Sequence, residues 1–185
     1  MGGVGRKRTT VSRIVIFGNS GSGKSTLAEA LARQAALEHL DLDALAWDRV
    51  NPAQRKPLDA SRIELATFIQ AHEKWVVEGC YSDLLSSVIS HCTKLIFLNP
   101  GIDRCIQNCR KRPWEPHKYP SPEAQNKNVE MLIRWIREYE TREDEFSLRN
   151  HRRLFDEFQG EKVEFTANQP MPNKLLQATC EDARA

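Results

Sequence analysis

The sequence contains no hydrophobic stretch that predicts a membrane span, since none approaches the roughly 18 uninterrupted apolar residues that a span requires. The chain also does not open with a basic segment followed by an apolar one, so no secretory signal is expected. Charge of one sign is not in large excess, because 27 Lys and Arg face 25 Asp and Glu. That balance points to neither nucleic acid nor a membrane as a partner. We expect a cytoplasmic protein.

Paired cysteines are missing as well. The five cysteines form no CxxC pair and keep no regular spacing from a histidine, which argues against a zinc site and against a disulfide framework. Free thiols in a reducing compartment fit this pattern best. The cysteines are Cys80, Cys92, Cys105, Cys109 and Cys180.

Short apolar runs alternate along the chain with segments of helical spacing. The first run, residues 13–17, is nearly continuous and β-branched, which is typical of a strand buried on both faces of a parallel sheet. The alternation predicts an α/β fold with a five-stranded parallel sheet and helices on both faces. We expect one domain over residues 13–166, a basic extension over residues 1–12 and a tail over residues 167–185. The predicted strands are residues 13–17, 39–42, 75–77, 94–98 and 162–165, and helices are predicted at 61–72, 83–90 and 102–111.

The segment after the first strand matches the phosphate-binding pattern G-x-x-x-x-G-K-[ST] at every fixed position. It reads Gly18, Asn19, Ser20, Gly21, Ser22, Gly23, Lys24 and Ser25, followed by Thr26. Glycines let successive amides turn inward as an anion-binding nest, which the positive end of the next helix also faces. Lys24 adds a mobile charge for the β- and γ-phosphates, and the Ser25 hydroxyl is placed to bind Mg²⁺. We therefore predict a three-layer P-loop NTPase fold that uses ATP and Mg²⁺.

Other segments of the sequence narrow the class of phosphate-loop protein to which the chain is similar. No N-K-x-D guanine motif is present, and no apolar strand ends in Asp-Glu, which disfavours GTPases and RecA-type ATPases. Residues 41–47 read Asp-Leu-Asp-Ala-Leu-Ala-Trp, residues 75–81 read Trp-Val-Val-Glu-Gly-Cys-Tyr, and residues 95–98 read Leu-Ile-Phe-Leu. Together with the phosphate loop, they resemble the nucleoside-monophosphate-kinase and shikimate-kinase group. Within that group, residues 13–165 resemble the adenylate-kinase-related family of topology modulation proteins. Asn is usual in that family where this chain has Cys80, and His is common where it has Asp41.

Two acidic residues follow predicted strands at the edge where an open parallel sheet binds ligands. Asp43 can orient or deprotonate an acceptor hydroxyl there, or hold water on Mg²⁺, and a helix cap is the alternative. By resemblance, Glu78 is an acid near the metal. Trp47 and Tyr81 either line an acceptor pocket or belong to the core.

A proline-rich segment over about residues 112–128 is predicted to form a small mobile lid. Its four prolines are expected to exclude regular helix and strand. A helical stripe then begins near Leu132 and extends, with a possible bend, toward Phe158. The prolines are Pro113, Pro116, Pro120 and Pro122.

Arginines stand on both sides of this segment, as expected for a loop that closes over phosphates. By resemblance, Arg112 and Arg142 are the catalytic lid arginines. Asn108 occupies a position, one turn before Arg112, where relatives often carry another arginine. Further candidates are Arg110, Arg134 and Arg137.

These features predict transfer of the ATP γ-phosphoryl group to a nucleoside monophosphate or a small hydroxylated metabolite. The alternative is an ATP-binding regulator that acts on a partner or on DNA topology, and a slow ATPase is a third possibility. The protein is expected to act as a monomer or a homodimer.

Overall fold

The computed structural model of the protein describes residues 12–48, 54–114 and 120–168. They form a five-stranded sheet in the order β2-β3-β1-β4-β5, and every neighbouring pair is parallel. The strands are β1 (Arg13–Gly18), β2 (Glu38–Asp41), β3 (Trp75–Gly79), β4 (Lys94–Leu98) and β5 (Glu161–Phe165). The prediction of a five-stranded parallel sheet is confirmed.

Burial explains the strand sequences. All residues of β3 and β4 are buried, and so are all but the first of β1, because these strands occupy the centre of the sheet. The edge strands β2 and β5 contain no fully buried residue and are correspondingly richer in charged residues. Continuous apolar runs therefore mark the strands that helices cover on both faces.

Seven α-helices surround the sheet within the described ranges. Alternate residues of β1 point to opposite faces: Val15 and Phe17 join one buried cluster, with Leu85 of α4, and Ile16 joins another, with Leu31 of α1. Helices on both faces are thus confirmed. The helices are α1 (Lys24–Ala35), α2 (Asp43–Ala46), α3 (Leu58–Ala71), α4 (Ser82–Val88), α5 (Ile102–Arg110), α6 (Pro122–Arg137) and α7 (Leu148–Glu157).

The proline-rich segment differs from its prediction. Helix α6 begins at Pro122, so the expectation that no regular helix forms before residue 128 is wrong for residues 122–128. Proline is tolerated in the first helical turn, where its missing N–H has no intrahelical partner. The Ser121 side chain accepts a hydrogen bond from the Ala124 amide at 3.2 Å and caps this end. Residues 115–119 of the predicted lid lie outside the described residues.

The helical stripe after the lid is two helices rather than one bent helix. Helix α6 ends at Arg137, a 3₁₀ turn follows at Glu138–Glu140, and α7 begins only at Leu148. Ser147 caps α7 by accepting a hydrogen bond from the Asn150 amide at 3.1 Å.

The chain ends cannot be compared with their predictions. Residues 1–11 of the basic extension and residues 169–185 of the tail lie outside the described residues. No helix among residues 12–48, 54–114 and 120–168 is both long and apolar enough to cross a membrane.

Candidate active site

The phosphate loop connects the carboxyl end of β1 to the first residue of α1, Lys24. Gly23, just before the helix, has φ +95, and no atom lies within 4 Å of where its Cβ would be. Gly21 has φ +75, and a Cβ there would lie 2.4 Å from the backbone oxygen of Cys105 in α5. Gly23 is therefore required by backbone conformation, and Gly21 also by its close packing on α5.

Side chains of the loop fix its shape. Asn19 is 5% exposed, and its Nδ2 donates to the Ile136 carbonyl of α6 at 3.1 Å. Its Oδ1 accepts from the Ser20 amide at 2.8 Å. Lys24 Nζ donates to the Asn19 carbonyl at 3.0 Å, so the ammonium lies within the loop that it would serve. The loop is therefore held by α6, the helix that begins within the predicted lid segment.

A cavity of about 160 Å³ lies at the carboxyl ends of the strands. The structure brings the predicted site residues Lys24, Ser25, Asp43, Glu78 and Arg112 together around it. The other lining residues are Ser20, Gly21, Asp41, Gly79, Cys80 and Leu132. The site thus combines two positive groups with three carboxylates.

Glu78 is the most deeply buried acid of this site, with 1% exposure. Burial, and secondarily the negative charge of Asp41, raises its pKa to about 7, while Lys24 and a hydrogen bond from Ser25 oppose that shift. Its Oε1 has no hydrogen-bond partner, although His39 Nε2 lies 4.0 Å away.

These donors fit Mg²⁺. Ser25 offers a hydroxyl and Glu78 a buried carboxylate oxygen that lacks a partner. Among the described residues, no three His, Cys, Asp or Glu side chains form a metal cluster. Mg²⁺ commonly takes one or two protein oxygens and completes its shell with water and substrate phosphate, so this small donor set suits it.

Asp43 is the first residue of α2, and a chain of hydrogen bonds orients its carboxylate. The Tyr81 hydroxyl donates to Asp43 Oδ1 at 2.6 Å, and Trp47 Nε1 donates to the Tyr81 oxygen at 2.6 Å. Burial is the largest cause of a strongly raised pKa of Tyr81, which keeps the phenol protonated. Asp43 is not the N-cap of this helix, which is Leu42. Asp41 Oδ1 accepts a hydrogen bond from the Asp43 N–H at 2.9 Å.

The two predicted lid arginines lie in different environments. Arg112 lines the 160 Å³ cavity. Arg142 does not line it; its side chain is 10% exposed, with the guanidinium carbon 3.4 Å from the Trp135 ring centre and Nε 3.0 Å from an Asp144 oxygen. Arg110, Arg134 and Arg137 are exposed on α5 and α6.

A second cavity, of about 350 Å³, lies on the other side of the phosphate loop. The first turns of α1 form one wall, including Thr26, and the end of α5 with Arg112 forms another. Asn108 Nδ2 donates to the Gly21 carbonyl at 2.9 Å and to Asn168 Oδ1 at 2.9 Å. Asn108 therefore fixes the loop at the position where relatives often carry an arginine.

Comparison with known proteins identifies the family. The family model described as AAA domain matches residues 14–169, most of the chain. The chain belongs to this AAA domain family. A search of curated proteins gives no significant match.

Several solved structures have a similar fold. A shikimate kinase from Acinetobacter baumannii in complex with shikimate is 17% identical, with a TM-score of 0.57 over 94% of this chain and 93% of that one. A shikimate kinase from Bacteroides thetaiotaomicron is 20% identical, with a TM-score of 0.56 over 94% and 96%. A gluconokinase from Sinorhizobium meliloti 1021 is 19% identical, with a TM-score of 0.53 over 94% and 92%. The predicted resemblance to the shikimate-kinase-like group is confirmed for the fold, and the narrower likeness to topology modulation proteins stays a prediction.

The sequence did not predict a role for two residues in or beside the 160 Å³ cavity. Asp41 differs from a family pattern, yet it lines the cavity and accepts a hydrogen bond from the Asp43 amide. Arg55 does not line the cavity, but its guanidinium carbon lies 5.2 Å from the centre of the Tyr81 ring. Asp41 could have been predicted as a site residue, because Asp41 and Asp43 both stand at the end of a predicted strand. No local sequence pattern predicts a role for Arg55.

Proposed function

We propose that the protein transfers the γ-phosphoryl group of ATP to a hydroxyl of a small acceptor. One observation carries the proposal: Lys24, Ser25, Asp43 and Glu78 converge on one cavity at the carboxyl ends of the strands. Phosphoryl transfer needs positioning and charge stabilisation more than covalent chemistry, and these side chains supply both.

ATP spans the two cavities in this proposal. The triphosphate lies on the amides of residues 18–26, where Lys24 leaves the Asn19 carbonyl to contact the β- and γ-phosphates. The adenosine occupies the 350 Å³ cavity beside Thr26. Arg112 lines both cavities, so its guanidinium can reach the phosphates from the lid side.

Ser25 and Glu78 hold the magnesium ion of this proposed site. When bound, Mg²⁺ supplies charge neutralisation on the transferred phosphoryl group. The unpartnered Oε1 of Glu78 supports this role, since a buried carboxylate oxygen without a hydrogen bond is costly unless a ligand satisfies it.

Asp43 acts on the acceptor. Its carboxylate receives the hydroxyl proton while the acceptor oxygen attacks the γ-phosphorus, and Tyr81 and Trp47 position it. Arg142 acts indirectly, by holding Trp135 and the turn after α6 in place. Free thiols at Cys80, Cys92, Cys105 and Cys109 fit a cytoplasmic location.

Release of ADP from Mg²⁺-ATP in the presence of candidate acceptors tests the proposal. We expect an acceptor to stimulate turnover, and we expect Lys24→Ala to weaken ATP binding by about 100-fold in calorimetry, because a charge-assisted contact is lost. Lys74→Ala is the matched control. Lys74 is exposed just before β3, at the amino ends of the strands, whereas the proposed site lies at their carboxyl ends. Tight ATP binding that no acceptor converts into turnover contradicts the proposal.

A further inference from the structure

A buried histidine of α7 contacts the backbone of the site without lining its cavity. His151 is 0% exposed, and its Nε2 lies 2.9 Å from the carbonyl oxygen of Cys80. Cys80 lines the 160 Å³ cavity, whereas His151 does not. A polar side chain buried this completely is stable only when its nitrogens have partners, so its contacts define what it does.

The hydrogen bonds of His151 define which ring nitrogen carries its proton. A carbonyl oxygen only accepts, so Nε2 is protonated and donates to Cys80. Burial lowers the pKa of His151 to about 4, so the ring is neutral near pH 7 and its Nδ1 carries no proton. Nδ1 therefore accepts from the Tyr139 hydroxyl at 2.7 Å. Tyr139 is 3% exposed, and burial is the largest cause of its raised pKa, so the phenol keeps the proton that it donates.

Cys80 lies just beyond the point where the sheet supports the chain. Strand β3 ends at Gly79, which is also the last of its residues to pair with β1. Glu78, the proposed magnesium ligand, lies two residues before Cys80. Tyr81, which donates to Asp43 at 2.6 Å, follows directly. An anchor at the Cys80 carbonyl therefore holds the backbone from which both of these side chains extend.

The other contacts of the imidazole lead to the elements that hold the phosphate loop. Its ring lies edge-on to that of Phe17, with 5.4 Å between the ring centres, one residue before the loop begins at Gly18. Tyr139 belongs to the 3₁₀ turn that follows α6. The Ile136 carbonyl of the same helix accepts the hydrogen bond from Asn19 Nδ2 at 3.1 Å. The imidazole thus connects the acid-bearing end of β3 with the helix that holds the loop.

We propose that His151 is a positioning residue for phosphoryl transfer, acting through its hydrogen bond to Cys80. That bond holds the backbone on which Glu78 and Tyr81 stand, and it keeps their side chains directed at the metal and at Asp43. The inference rests on the proposed function and adds a residue to it. His151 touches neither nucleotide nor acceptor, and it transfers no proton, because both ring nitrogens are engaged within the protein.

His151→Leu and His151→Gln separate the hydrogen bond from packing. Leucine cannot donate to Cys80, whereas the amide nitrogen of glutamine can. With Mg²⁺-ATP and a stimulating acceptor, we expect His151→Leu to lower kcat at least about tenfold and to raise the Mg²⁺ concentration for half-maximal turnover about tenfold. KM for ATP should change by less than about twofold, since the nucleotide contacts come from the phosphate loop. His151→Gln should return both quantities to within about threefold of wild type.

The Mg²⁺ requirement distinguishes positioning from a loss of stability. Partial unfolding reduces the number of active molecules, which lowers kcat without changing the Mg²⁺ that the folded molecules need. Leu154→Ala is the matched control, because Leu154 lies on the same helix and is 8% exposed, so truncation lowers stability without removing a hydrogen bond. Its Mg²⁺ requirement should equal that of wild type. An unchanged requirement in His151→Leu, or an equal shift in Leu154→Ala, overturns the inference and leaves the kinase function standing.

NMR of the imidazole nitrogens in the wild-type protein tests the same hydrogen bonds without an acceptor. We expect Nε2 of His151 to be protonated and Nδ1 unprotonated, with chemical shifts that stay constant from about pH 5.5 to about pH 8. A protonated Nδ1, or a ring that titrates near its ordinary pKa, overturns the inference whatever the activity of the enzyme. If no acceptor stimulates turnover of the wild type, the proposed function is overturned and this inference with it.

Discussion

Glu78→Gln should make the ligand-free protein more stable above neutral pH, because the wild-type carboxylate is buried at a cost. The folded-state pKa of Glu78 is raised from its ordinary 4.5 to about 7. The folded protein therefore holds this proton more tightly than the unfolded chain, and the wild-type free energy of unfolding falls as pH rises from about 4.5 to about 7. A shift of one pKa unit corresponds to about 1.4 kcal/mol, so the loss in the free energy of unfolding reaches about 3 kcal/mol above pH 7.

Urea unfolding of both proteins at pH 5, 6, 7 and 8 measures this difference. We expect Glu78→Gln to exceed wild type by less than about 1 kcal/mol at pH 5 and by about 3 kcal/mol at pH 8. Comparing the two proteins at each pH cancels the titrating groups that do not interact with Glu78. Glu130→Gln is the control, since Glu130 is exposed on α6 and should follow the wild-type curve. A difference that stays constant from pH 5 to pH 8 refutes the reasoning.

The same variant separates stability from function. Glu78→Gln lacks the anionic oxygen proposed for Mg²⁺, so the Mg²⁺ concentration needed for half-maximal turnover should rise by at least about tenfold. In wild type, the same Mg²⁺ requirement should rise as pH falls below about 7, because the metal must displace the proton of Glu78. A more stable enzyme with an unchanged Mg²⁺ requirement would remove Glu78 from the metal site.

Two further variants each remove one hydroxyl group that makes side-chain hydrogen bonds. Tyr81→Phe removes the donor to Asp43, so kcat for ADP release should fall about tenfold while KM for ATP stays constant; a change confined to KM for ATP would contradict the positioning role. Ser121→Ala removes the cap of α6 and should lower the free energy of unfolding by about 1 kcal/mol in urea titrations, and an unchanged midpoint would show that the bond to Ala124 contributes nothing.

The strands and the phosphate loop could be predicted because their signals are local. The strand at residues 94–98 was predicted with its observed bounds, since a continuous apolar run between helical patterns has few other interpretations. The start of α6 differs from the prediction, because four prolines within ten residues suggest that no helix forms anywhere in the segment. Pro122 instead occupies the one helical turn that tolerates proline, and Ser121 completes the cap.

The assignment of the arginines shows where sequence reasoning ends. By resemblance, Arg112 and Arg142 are both predicted to be lid arginines. Folding separates them: Arg112 reaches the site cavity, whereas Arg142 packs on Trp135 beside Asp144. A charged side chain takes its role from its neighbours, and those neighbours come from other elements.

The sequence by itself determined the α/β architecture, the phosphate loop at residues 18–26 and the placement of acids at the carboxyl ends of the second and third strands. Each of these depends on residues close together in the chain, whose backbone preferences act locally. Only the tertiary structure decided which partners those acids obtain. Asp43 meets Tyr81 across 38 positions, and Arg55 meets Glu145 across 90. Such contacts depend on how helices pack on the sheet, and local residue patterns do not encode those distances.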